Sequence, residues 1–170
     1  MSLKIIGAVL ILSGCGGFGF AMAASQKREE HSLRQIVRAL EYMQCELQFR
    51  QTPLPQLCYN VSSILTGQIR LVFLQLVNEL NQQIAPDATY CMKAAVSAFP
   101  GLPHRVKEAL EELGSTLGMF DLPGQQRGMA AVAAMCHEGI CELSQNRSSR
   151  LRSYQTLGLC TGAALVILFL

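Results

Sequence analysis

Chemistry in this chain is confined to a few residues, and each of them has a competing structural use. Cys136 and His137, with Cys141 five residues after the first, form the one cluster of metal-ligand types in the sequence. On a single helix, positions i, i+1 and i+5 point in different directions and do not converge on a tetrahedral ion. No metal site is expected there. Asp87 and Asp121 both fall at helix junctions, where a carboxylate ordinarily accepts a backbone N–H. Glu111 and Glu112 are helix neighbours, about 100° apart, and cannot share a proton as a catalytic dyad. His31 and His104 stand near helix starts, where surface or capping positions account for them. No nucleophile–base pair lies in a recognisable local motif, and the GxxxxGK[ST] phosphate loop is absent. The expectation is no catalytic residue, no cofactor and no nucleotide hydrolysis by that route.

The elements that would hold these groups read as helices. Leu33, Ile36, Leu40, Met43 and Leu47 recur at three- and four-residue intervals and share one face. Arg34, Arg38 and Glu41 fall mostly off that face. Thr52-Pro53-Leu54-Pro55 ends the helix, because proline disfavours helical geometry in the residue before it. A second helix turns Leu57, Val61, Ile64 and Leu65 inward and is broken by Gly67. A third carries Ile69, Val72, Phe73, Leu76, Val77 and Leu80 and ends before Pro86. Asp87 caps a fourth, with Ala88, Cys91, Met92, Ala95 and Phe99 inward. Beyond the Pro100-Gly101-Leu102-Pro103 turn, a fifth holds Val106, Leu110, Leu113 and Leu117. After Asp121-Leu122-Pro123-Gly124, a sixth presents Met129, Val132, Ala133, Cys136, Ile140 and Leu143. No stretch alternates in polarity. The fold class is therefore all-α, an antiparallel bundle of about six helices.

Half of the residues are hydrophobic and 15% are charged, against roughly 25% in soluble domains. The deficit lies at the two ends: no charge falls between Ile5 and Gln26, and none from Ser153 to Leu170. As helices, these stretches reach or approach the roughly 20 residues that cross a hydrocarbon core. Lys27, Arg28 and Arg34 follow the first, and Arg147, Arg150 and Arg152 precede the second. An excess of basic residues marks cytoplasmic flanks. The expected organisation is a transmembrane anchor over 1–25, a cytoplasmic helical domain over 26–153 and a second anchor over 154–170. Gly158 and Gly162 form a GxxxG that permits close packing of membrane helices. Two other readings of the amino terminus stay open. Leu12-Ser13-Gly14-Cys15 has the form of a lipoprotein cleavage box, which would make the chain an exported, lipid-anchored helical binding protein with Cys15 lipidated. Ala21-Met22-Ala23-Ala24 resembles a signal-peptidase site. Seven cysteines without regular spacing suit small buried hydrophobes in a reducing compartment better than a disulfide framework. A formal net charge of +2 leaves no electrostatic footprint for nucleic acid.

Two blocks of sequence carry a resemblance. Leu40-Glu41 through Cys45-Glu46-Leu47, followed by Thr52-Pro53-Leu54-Pro55, is similar to the first block of the stage III sporulation protein AB family. Leu113-Gly114-Ser115-Thr116-Leu117-Gly118-Met119-Phe120-Asp121-Leu122-Pro123-Gly124-Gln125 resembles its second, LGxxLGxxDxxGQ. The resemblance implies a soluble domain like the helical domain of the platform protein in type II secretion and type IV pilus machines. It implies a non-enzymatic scaffold in the mother-cell membrane facing the forespore of an endospore-forming bacterium. Its partners would be the lipid bilayer, the companion secretion-type ATPase (stage III sporulation protein AA) and other membrane components of the same channel complex. On that reading, the mixed-charge face of Arg105, Lys107, Glu108, Glu111 and Glu112 is the candidate ATPase contact. Leu113, Gly114, Leu117, Gly118, Asp121, Gly124 and Gln125 would form either a tight helix corner or a partner contact. In a corner, the glycines permit close approach, Asp121 caps the next helix and Gln125 completes a capping box.

Overall fold

Proline decides where the long helices stop. The six prolines stand at 53, 55, 86, 100, 103 and 123, and each of the two longest helices runs through a stretch without an interior proline. The structure, a computed structural model, describes the backbone of residues 2–50, 52–82, 87–117 and 121–169. Side chains are described for residues 24–50, 52–82, 87–117 and 121–145. Six helices result: α1 (Ser2–Phe49), α2 (Leu54–Ile64), α3 (Gly67–Gln82), α4 (Ala88–Ser97), α5 (His104–Leu117) and α6 (Leu122–Phe169). Among the described residues there is no strand.

Helices α1 and α6 are each 48 residues long. The junctions expected near 25/26 and 153/154 are therefore not breaks in the backbone: helix continues through both. The physical reason is local, since neither junction contains a proline, and glycine alone weakens a helix by only about 1 kcal/mol. The chain divides into two compact units, residues 1–26 with 141–170, and residues 27–140. Apart from residues 24 and 25, the expected anchors over 1–25 and 154–170 lie outside the residues whose side chains are described, as do Gly158 and Gly162. Among the described residues, no helix is long and apolar enough to cross a membrane.

Within residues 27–140, α2 packs on α3, α3 on α4 and α4 on α5. Leu33, Ile36, Leu40 and Met43 of α1 are buried, as are Leu57, Val61 and Leu65, then Ile69, Val72, Phe73 and Leu76. Met92 of α4, Val106, Leu110, Leu113 and Leu117 of α5, and Met129, Val132 and Cys136 of α6 complete the core. Leu47, Ile64, Val77, Leu80, Phe99, Ala133, Ile140 and Leu143 sit only part-way in, at helix ends or on the flanks of the apolar faces. Gly67 takes a φ of +65°, a left-handed geometry that costs glycine little and lets the chain reverse from α2 into α3. The link is pinned to α1, where the Thr66 amide donates to Gln35 Oε1 at 3.2 Å. Asp87 caps α4 by accepting from the Thr89 amide at 3.0 Å.

The cysteines follow this burial. Cys58, Cys91 and Cys136 are buried, while Cys45 and Cys141 are exposed. Burial pushes the Cys58 thiol up to about 12 and the Cys136 thiol up to about 11. For Cys91, burial also raises the thiol, with the Glu79 and Asp87 carboxylates adding to it. A thiol raised in the native state stays protonated there after its unfolded counterpart has ionised, near 9.0. Its contribution to stability is thus whole below pH 9.0 and is lost as pH rises from 9.0 towards 12. Under native conditions iodoacetamide should modify Cys45 and Cys141 and spare Cys58 and Cys136 until the protein unfolds. Site-mapped mass spectrometry checks this, and urea unfolding at rising alkaline pH checks the loss of stability.

Candidate functional site: the outer face of α5 and the α5–α6 corner

Helix α5 is amphipathic, with Val106, Ala109, Leu110, Leu113 and Leu117 inward, so its charged residues are left on the outer side. Arg105, Glu108, Glu111 and Glu112 are exposed and Lys107 is half-buried. Lys107 Nζ donates to the Pro100 carbonyl at 3.2 Å, fastening the start of α5 to the preceding turn. His104 Nδ1 lies 3.7 Å from Glu108 Oε2. The Arg105 guanidinium reaches towards α6, 3.7 Å from where a Cβ on Gly139 would stand. The face thus joins the five predicted residues on one surface, with the cations at its amino-terminal end and the carboxylates further along. It presents both signs of charge and hydrogen-bonding groups at the surface. Cys136 is buried and its neighbour His137 is exposed, so they occupy different sides of α6. Among the described residues, no three metal-ligating side chains come together.

The corner is built from contacts that need missing side chains. A Cβ on Gly114 would lie 2.6 Å from Met92 Cβ, so only glycine lets α5 rest this closely on α4. A Cβ on Gly128 would lie 2.5 Å from Thr116 Cγ2, which brings α6 against the end of α5. Asp121 is the N-cap of α6: its Oδ2 accepts from the Gly124 amide at 2.8 Å, satisfying an otherwise orphaned donor. Gln125 stands one place beyond the position a capping box requires. Its side-chain amide instead donates across the corner to the Leu117 carbonyl, at 3.4 Å. That bond engages one of the carbonyls left open at the end of α5. Leu113, Gly114 and Leu117 are buried, and Gly118 lies outside the described residues.

Two further groups were not singled out from the sequence as sites. Glu46 joins the first sequence block into one network, because its carboxylate accepts from Tyr42 at 3.3 Å and Thr52 at 3.0 Å and lies 3.5 Å from Arg50. The Tyr42 phenol is held above its usual value first by burial and then by the Glu46 charge. The turn into α2 is thereby tied to α1 by one carboxylate. The second group is a groove of about 340 Å³ between α1 and α6, lined by Arg34, Val37, Arg38, Glu41, His137 and Ile140. The spacing of Arg34, Arg38 and Glu41 was a signal for it, since i, i+4 and i+7 share one side of a helix. In the sequence these residues stand out only by falling mostly off the apolar face of α1.

A bundle, all-α among the described residues, in which glycine contacts bring α5 against α4 and α6 against α5 and an aspartate caps α6, defines a class of small helical domains. A family profile described as Stage III sporulation protein AB matches residues 4–170, and this chain belongs to that family. Stage III sporulation protein AB of Bacillus subtilis (strain 168) is 22% identical over 170 residues, covering 99% of each chain. A solved structure of Stage III sporulation protein AB (SpoIIIAB) superposes with a TM-score of 0.65 at 18% identity, covering 72% of this chain and 98% of that one. At that identity the likeness concerns the fold.

The corner makes a quantitative prediction. Gly114→Ala forces the new methyl into Met92 and should cost roughly 1–3 kcal/mol of stability, as overpacking does. Thermal unfolding of the full chain followed by circular dichroism measures it. Unchanged stability with loss of sporulation would make the corner a contact surface and not a packing joint.

Proposed function

We propose that this chain is a non-enzymatic membrane scaffold of the mother cell–forespore channel complex required for endospore formation. Two helices, within 1–25 and 154–170, anchor it in the mother-cell membrane, with Gly158 and Gly162 available for close helix packing. Its helical domain faces the cytoplasm and docks a secretion-type ATPase, the companion stage III sporulation protein AA. Family membership supports the sporulation role. The uncharged end segments and their basic flanks support the anchors and the orientation.

The observation that carries the docking role is the outer face of α5. Glu108, Glu111 and Glu112 project from one helix into solvent, with the exposed Arg105 beside them leaning towards Gly139 of α6, while the core beneath them is almost entirely apolar. Complementary charge gives such a face specificity and rapid association with a partner. Energy then comes from the partner's nucleotide, and this chain supplies the fixed surface it works against.

The full chain in mild detergent should capture the purified ATPase at low salt. Capture should weaken severalfold by 0.5 M salt, because screening already shortens to about 10 Å at 0.1 M. Glu111→Lys combined with Glu112→Lys should weaken it further. Salt-insensitive binding rejects the charged face, and ATP hydrolysis by this chain alone overturns the scaffold role. For orientation, the exposed Cys45 should resist a membrane-impermeant maleimide in intact cells and react after lysis. Labelling of Cys45 without lysis, with lipid incorporation lost in Cys15→Ser, would establish the exported, lipid-anchored alternative.

A further inference from the structure

We propose that copies of this chain associate head to tail, with the α6-side edge of α5 in one copy lying antiparallel along the α1 wall of the α1–α6 groove in the next. The occupant of the groove is thus a second copy of the chain. Charge complementarity identifies it. Along α1 the exposed residues run Arg34, Arg38, Glu41, at spacings of four and three. Along α5 they run Glu112, Glu108, Arg105 when read backwards, again at spacings of four and three. Laid antiparallel, Arg34 meets Glu112, Arg38 meets Glu108 and Glu41 meets Arg105. Each series spans roughly 10 Å of helix and keeps within a stripe about 60° wide. Laid parallel, the same two series bring Arg34 to Arg105 and Glu41 to Glu112, and like charges oppose each other at both ends.

The groove has room for this contact. It is about 340 Å³ and includes Val37 and Ile140 in its lining, over which the methylene stems of Glu108 and Glu112 can lie. Among the described residues, Arg38 has no carboxylate within ion-pair distance. Arg34 is held by Glu30 at 2.8 Å with 59% of its side chain exposed, and Glu108 is held by His104 at 3.7 Å. Exposed pairs of this kind are weak and exchange readily.

One copy carries both halves of the contact, the α1 wall and the α5 edge, so each copy can engage two neighbours in a row or a closed ring. This goes beyond ATPase docking and competes with it, for Arg105, Glu108 and Glu112 belong to both contacts while Glu111 lies on the other edge of α5.

Sedimentation equilibrium of the full chain in mild detergent tests the contact. The wild type should self-associate in a salt-sensitive way. Arg38→Glu alone and Glu108→Arg alone should each weaken association about tenfold or more, and the double swap should restore it to within about threefold, as a direct pair requires. A wild type that stays monomeric, a single swap without effect, or a double swap no better than its parents would overturn the proposal. Helix content by circular dichroism accompanies each variant, and the double swap distinguishes a lost contact from a lost fold. Arg38→Glu should still capture the ATPase. An Arg38→Glu chain that no longer self-associates and still fails to capture the ATPase would count against ATPase docking alone.

Discussion

Helix α5 can lie between its neighbours only because Gly114 and Gly128 have no side chains. A methyl group on the first would stand 2.6 Å from Met92 of α4, and one on the second 2.5 Å from Thr116. Both distances are well inside van der Waals contact, and a close-packed interior has no slack to absorb them. The rest of residues 27–140 inherits this spacing. With α5 drawn in, Leu110, Leu113 and Met92 are all fully buried, and the end of α5 comes within reach of the first turn of α6. Asp121 and Gln125 then join the two helices with hydrogen bonds to Gly124 and Leu117.

The same tight packing governs the polar groups inside. Among the described residues, the buried polar side chains are Ser62 and Thr116. Their hydroxyls donate to the carbonyls of Tyr59, at 2.6 Å, and Glu112, at 3.1 Å, within their own helices. Among the described residues, no buried side-chain nitrogen or oxygen lacks a partner. Here the large shifts belong to thiols raised by burial alone, which makes them inert. Among the described residues, the charged groups all lie outside the core, including those on α5 and along α1.

Glu46 shows how a surface of this kind is held in place. The chain must leave α1 and enter α2 through two prolines, neither of which can donate a backbone hydrogen bond. Tyr42, Thr52 and Arg50 converge on the one carboxylate that spans this turn. Where α6 begins, Asp121 does the same work through its backbone partner. In both of these connections a carboxylate replaces the hydrogen bonds that the helix end or the prolines leave open.

The sequence by itself determined the helical class, the limits of most helices and most of the core. Those features depend on neighbours a few residues apart. Prolines at 53, 86, 100 and 123 interrupt hydrogen bonding locally, Asp87 and Asp121 cap locally, and the spacing from Leu33 to Met43 marks one face without reference to the rest of the chain. Only the tertiary structure decided that helix runs unbroken past 25/26 and 153/154, since hydropathy changes there while helical propensity does not. It alone showed that Gly114 meets Met92, that Gln125 turns to Leu117, and that Arg34, Arg38 and Glu41 line a groove with His137. These are distances between residues far apart in the chain. A charged residue reads the same in sequence whether it faces open water or a groove; the difference lies in which helix stands beside it.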